Sequence, residues 1–145
     1  MKIREVMSSP VIRIGSEETV EAAARTLAKY NIGALPVCKS DGRLCGVVTD
    51  RDLVTRCLAA GKNPGQTKIS QVMSGSVIGI PPDLETTAAA RIMGNRQIRR
   101  LPVVENEKLC GMVSLGDLTK GDGNTTDAAS ALTQISSNIR PGKVF

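Results

Sequence analysis

Two residue pairs set a hydroxyl and, three positions later, a carboxylate: Thr49 with Asp52, and Ser114 with Asp117. Each closes a copy of one short pattern, Gly46-Val47-Val48-Thr49-Asp50-Arg51-Asp52-Leu53 and, 65 residues on, Gly111-Met112-Val113-Ser114-Leu115-Gly116-Asp117-Leu118. Val47 and Val48 read as the end of a buried strand, and the polar residues behind them as the cap and acidic first turn of a helix. There the carboxylate can accept from two ribose hydroxyls, while Thr49 or Ser114 and nearby backbone N–H groups face a phosphate. A lone Thr or Asp at a helix start is usually only a cap. The second copy is what gives the pairs weight.

The elements that must position them recur in the same order. Val6-Met7-Ser8 leads into the strand-like Val11-Ile12-Arg13-Ile14. Ser16-Glu17-Glu18-Thr19 then opens a helix to about Tyr30, with Val20, Ala23, Ala24, Leu27 and Ala28 on its apolar face. Ile32 to Cys38 reads as a strand, Ser40-Asp41-Gly42-Arg43 as a turn, Leu44 to Thr49 as the returning strand, and Asp50 to about Ala60 as a second helix. Val72-Met73-Ser74, Val77-Ile78-Gly79-Ile80 and Ala88-Ala89-Ala90-Arg91 repeat their counterparts at a spacing of 66, and Leu109-Cys110-Gly111 follows at 65 after one residue is lost in the hairpin. Such agreement indicates an internal duplication. The expected organisation is repeat 1 over 1–62, a Gly/Pro-containing linker over 63–68, repeat 2 over 69–120, and a tail over 121–145 in which Ala128, Ala129, Leu132 and Ile135 can line a short helix. Each repeat reads β-α-β-β-α, an α+β unit too small to bury its own sheet face, so the two are expected to pack with pseudo-twofold symmetry.

Composition limits the chemistry. The 145 residues are 41% hydrophobic and 23% charged, as in a globular protein, and no apolar run is long enough to span a bilayer. The first residues carry no apolar signal segment, so a cytoplasmic location and no membrane partner are expected. There is no histidine, no nucleophile elbow and no Walker loop, so the sequence reads as non-catalytic and without a metal site. The net charge of +5 suits an anionic partner, but Tyr30 and Phe145 are the only aromatics, which disfavours nucleic-acid binding by base stacking. Cys38, Cys45, Cys57 and Cys110 are expected to be free thiols, although a two-residue turn at Asp41-Gly42 would set Cys38 opposite Cys45.

The doubled Val-Met-Ser leader, Leu-Pro-Val hairpin entry and Gly-x-x-Thr/Ser-x-x-Asp ending resemble a tandem pair of cystathionine β-synthase (CBS) domains, a Bateman module, of the small stand-alone bacterial type. The resemblance covers about residues 1–120. It implies a regulatory, signalling module that requires no cofactor and binds an adenosyl ligand such as AMP, ADP, ATP, NAD or S-adenosylmethionine in clefts between the repeats. It also implies a homodimer, and an effector protein that the sequence does not identify. Carried onto this chain, the ribose-binding acids are Asp52 and Asp117, and the phosphate-side hydroxyls Thr49 and Ser114. Val11, Ile12, Val77 and Ile78 match the segments that edge the adenine, and Pro36 and Pro102 belong to the opposite wall. Apolar strand residues of this kind are otherwise ordinary packing.

The copies differ where charge matters. Leu115-Gly116 replaces Asp50-Arg51, and Arg99-Arg100 replaces Gly33-Ala34. Arg99 or Arg100, and less directly Arg51, is expected to reach a ligand phosphate, the alternative being pairing with an acid such as Glu105. Gly46 and Gly111, each inside a strand, imply a bulge or a close approach by ligand or backbone. A ligand-free dimerisation scaffold and a nucleic-acid-associated regulator are the competing functional classes.

Overall fold

In a computed structural model, the described residues are 1–120 together with Ala129, Ala131, Leu132 and Ile135. The expected tail helix therefore falls only partly among them, and Ala128 lies outside. In chain order the elements are β1 (Ile14–Gly15), α1 (Val20–Tyr30), β2 (Ala34–Cys38), β3 (Leu44–Thr49), α2 (Asp50–Leu53), α3 (Thr86–Arg96), β4 (Arg100–Glu105), β5 (Lys108–Ser114) and α4 (Leu115–Leu118). The helix begun by α2 continues as a π-helical turn over Val54–Leu58.

The local reasons are those the sequence suggested. Thr49 and Ser114 end their strands in extended conformation and cap α2 and α4. Thr19 caps α1 by accepting from the Ala22 N–H at 3.1 Å, and Asn31 ends that helix in the left-handed region, φ 52°. Val20, Ala23 and Leu27 on α1 are buried against Leu35, Val37 and Val48 of the sheet. β1 pairs parallel with β2, and β2 antiparallel with β3.

Three expectations change. The strand foreseen over Val11–Ile14 is confined to β1, and of Val77–Ile80 only Ile80 forms a bridge, parallel to Val103. Cys38 does not face Cys45: a bulge pairs Cys38 with Leu44 and Val37 with Gly46, and the Cys45 thiol donates instead to the Val37 carbonyl at 3.4 Å. The extra residue in one strand removes the register that the turn alone would set. All four cysteines are free thiols.

The chain forms two compact units, and they are not the repeats as written in the sequence. Among the described residues, one unit joins Met1–Val11 to Ile78–Glu105 and to 110–120; the other holds Ile12–Val77 with Asn106–Leu109. Each leader thus packs on the body of the opposite repeat. In the first unit Ile3 is fully buried with Ala89, Met93 and Leu101, and its N–H donates to Leu84 at 2.9 Å. Ser8 and Met112 exchange backbone hydrogen bonds of 2.8 and 3.1 Å. In the second unit Ile69 is buried with Val20 and Leu27, its N–H donates to Glu18 at 2.8 Å, and Ser74 exchanges bonds of 2.9 and 3.0 Å with Val47.

These leaders explain the strand glycines. A Cβ on Gly46 would stand 2.6 Å from the Ser74 carbonyl oxygen and 2.7 Å from Met73 Sδ, and one on Gly111 would overlap Met7 Sδ and lie 3.2 Å from the Ser8 carbonyl. The close approach is by backbone and a thioether of the chain itself. Gly46→Ala should therefore lower stability by about 1–3 kcal/mol, seen as a shifted urea midpoint at unchanged slope. Gly75→Ala, which meets nothing within 4 Å, is the control and should leave the midpoint unchanged or slightly raised.

Candidate functional site

Each hydroxyl–carboxylate pair forms a closed, reciprocal cap. The Asp52 N–H donates to Thr49 Oγ1 at 3.1 Å while Asp52 Oδ2 accepts from the Thr49 N–H at 2.9 Å. In the other unit the Asp117 N–H donates to Ser114 Oγ at 3.2 Å and Asp117 Oδ2 accepts from the Ser114 N–H at 2.8 Å. Two otherwise orphaned amides are satisfied in each case, which is the logic of a capping box. Both aspartates are thus committed through one oxygen, and Oδ1 remains for another partner.

That second oxygen is met differently in the two copies. Asp52 Oδ1 lies 3.8 Å from Arg56 Nε, and Arg56 Nη1 donates to the Val72 and Met73 carbonyls at 3.3 and 3.2 Å. Asp117 Oδ1 accepts from Lys120 Nζ at 2.9 Å. Burial alone would raise the Asp117 pKa, but the Ser114 amide, the Lys120 ammonium and the Ser114 hydroxyl outweigh it and hold the carboxyl below its ordinary value of 3.8. Arg56 and Lys120 did not figure in the sequence reading; their spacing of four and three residues from the aspartates was the available signal.

The other candidates sort by exposure. Pro36 and Pro102 are buried in their strands, and Gly46 and Gly111 are buried under the leaders. Val11, Val77 and Ile78 are half-buried and Ile12 is exposed, so none belongs to a core, and two of the four passages of the chain between the units fall among them. Arg51, Arg99 and Arg100 are exposed and form no ion pair among the described residues, Glu105 included. The Arg99 carbonyl accepts the Leu115 N–H at 2.8 Å, as the Gly33 carbonyl accepts the Asp50 N–H at 3.0 Å, so Arg99 stands beside its helix start as Gly33 does beside the other. Among the described residues no three His, Cys, Asp or Glu are grouped as a metal site would require, and no helix is long and apolar enough to cross a membrane.

The family model of the CBS domain matches residues 3–59 and 69–122, the two copies that carry the capped strand ends. The chain belongs to the CBS domain family. It is 38% identical over 134 residues to the CBS domain-containing protein YhcV of Bacillus subtilis, covering 92% of this chain and 94% of that one. It is 34% identical over 117 residues to hypoxic response protein 1 of Mycobacterium tuberculosis, covering 81% and 82% of the two chains. A crystal structure of hypoxic response protein I with two coordinated zinc ions superposes with a TM-score of 0.77 at 32% identity, covering 83% of this chain and 98% of that one. The CBS domain pair of protein MJ0100, in complex with 5'-methylthioadenosine and S-adenosyl-L-methionine, gives 0.71 at 28% identity over 83% and 98%.

The capping geometry makes two measurable statements. Thr49→Ala and Ser114→Ala should each lower stability by about 1 kcal/mol in urea unfolding at neutral pH. Because the folded Asp117 pKa is depressed, its contribution is present above 3.8 and lost as pH falls through the lower folded value. The stability gap between the wild-type protein and Asp117→Asn should accordingly be constant from pH 7 to about pH 5 and shrink at lower pH; a gap independent of pH would show that the charge contributes nothing.

Proposed function

We propose that this protein is a regulatory, non-catalytic sensor of an adenosine-containing ligand, with Asp52 and Asp117 receiving ribose hydroxyls and Thr49 and Ser114 lying on the phosphate side. The observation that carries this reading is the duplication of the hydroxyl–carboxylate box in identical geometry at two strand ends. It is supported by family membership and by the adenosyl compounds bound to the MJ0100 pair. In this reading Gly46 and Gly111 act indirectly, by seating the leaders, while Val11, Ile12, Val77 and Ile78 supply apolar contact to the base. Arg51, Arg99 and Arg100 supply charge-assisted donors for phosphate, since each lacks a carboxylate partner among the described residues. A regulator also needs a ligand that favours one arrangement of the protein over another, because equal affinity for both shifts nothing.

Calorimetry at physiological salt against AMP, ADP, ATP, NAD and S-adenosylmethionine should give saturable heat for at least one of them, with a raised melting temperature. Asp52→Asn combined with Asp117→Asn keeps an acceptor oxygen for each cap and should weaken that binding about tenfold or more, roughly 1.4 kcal/mol. No heat and no thermal shift with any of the five would overturn the reading.

A scaffold function has one observation in its favour. Val54 and Leu58, four residues apart, are 54% and 59% exposed on the helix that follows Asp50, an apolar pair suited to a second copy of the chain. Val54→Lys with Leu58→Lys should then move the sedimentation coefficient from dimer to monomer. An unchanged coefficient would exclude this face from self-association.

A further inference from the structure

The Ile12–Val77 unit contains a cavity of about 300 Å³ at the β2–β3 hairpin, lined among others by Arg13, Glu18, Cys38, Lys39, Ser40 and Gly42. It lies at the far end of the strands from Thr49: Ala34 pairs with Thr49, whereas Cys38 pairs with Leu44 next to the turn. Four residue steps along β2 separate the two ends by about 13 Å. The cavity is therefore distinct from the Thr49–Asp52 box.

Its charge is uncompensated. Arg13 Nη1 is 4.0 Å from where a Gly42 Cβ would stand, and the Lys108 stem lies 3.8 Å from the same point. Arg13, Lys39 and Lys108 are exposed and have no ion pair among the described residues. The acids at the turn are already taken, since Asp41 and Glu107 each sit 3.3 Å from the Arg43 guanidinium. Glu18, the one carboxylate in the lining, holds the Gly15 N–H through Oε2 at 2.6 Å. Two cations, Arg13 and Lys39, thus face one partly engaged anion around a concave surface that also offers the Ser40 hydroxyl, and the Lys108 stem lies beside its turn. Gly42, at φ 90°, leaves the turn without a side chain over this space.

We propose that this cavity binds the phosphoryl group of a small phosphorylated metabolite, Arg13 offering paired guanidinium donors and Lys39 a point charge. Phosphate fits better than a monocarboxylate because more than one positive group converges and only the dianion answers them together. The site is independent of adenosyl binding at the capped strand ends, so either reading can fail alone.

The test is an amide shift titration of the full chain with inorganic phosphate and with pyrophosphate at constant ionic strength, using acetate as the comparison anion. Saturable shifts at residues around Lys39, Ser40 and Gly42, absent with acetate, are expected whatever the response at Arg51, Arg99 and Arg100. Arg13→Gln and Lys39→Gln, both at exposed positions, should each weaken phosphate binding by about tenfold while leaving the melting temperature unchanged. Lys62→Gln, which removes an exposed cation outside the lining, should leave it unaffected. Linear, unsaturated shifts, an equal response to acetate, or retained affinity in Arg13→Gln would each overturn the proposal.

Discussion

The structure depends on a strand residue that has no side chain. Where Gly46 and Gly111 stand, a neighbouring leader lies so close that its methionine and a carbonyl oxygen occupy the place of a Cβ. This contact fixes the leader, whose isoleucine, Ile3 or Ile69, fills the core of the unit it joins. Because each leader belongs in sequence to the other repeat, neither core is complete without a segment from across the duplication. Burial of a whole isoleucine side chain is worth about 1.5–3 kcal/mol, a sizeable share of the stability of a small unit. The leader is structural material, and the conserved order of the repeat in this chain conceals that it is exchanged.

The same contact reaches the candidate site. Arg56 bonds the carbonyls of Val72 and Met73 with one nitrogen and stands 3.8 Å from Asp52 with another, so the leader and the capped strand end share a side chain. In the other unit Lys120 meets Asp117 directly. Exposed ion pairs contribute little by themselves, and the 3.8 Å contact is long. They set a cation beside the carboxylate oxygen that each cap leaves over.

Much of this was legible in the residues. The cap at Thr49, the helix over Val20–Tyr30 and the strand over Leu44–Thr49 follow from local chemistry and appear with the expected bounds. The leader exchange was not legible: a repeat offset of 66 residues is the same whether Ile3 packs on its own repeat or the other one. The glycines carried half the message, requiring a close approach without naming what approaches. The Cys38–Cys45 register failed because a bulge inserts a residue after the turn has set the count, and turn chemistry alone does not reveal it. Val11–Ile14 looked like a strand because four residues there are mostly apolar, yet only Ile14 finds a partner in β2, at Val37. A run of apolar residues predicts burial better than it predicts pairing.

The two copies of the box are alike in backbone and unlike in charge. Beside α2 stand Asp50 and Asp52, and the Cβ position of Gly33 is only 3.4 Å from the Asp50 carboxylate. Beside α4 Leu115 stands where α2 has Asp50, Lys120 neutralises Asp117, and Arg99 occupies the place of Gly33. Duplication copied the fold and its caps, since these are set by hydroxyl, carboxylate and glycine at fixed spacing. Substitution then acted beside the caps, at Arg99, which is exposed, and at Leu115, which packs against its unit's core where Asp50 is exposed. The shared box therefore carries a mixed rim in one unit, where Arg51 and Arg56 stand with Asp50 and Asp52, and a basic one in the other, where Arg99 and Lys120 stand with Asp117 alone.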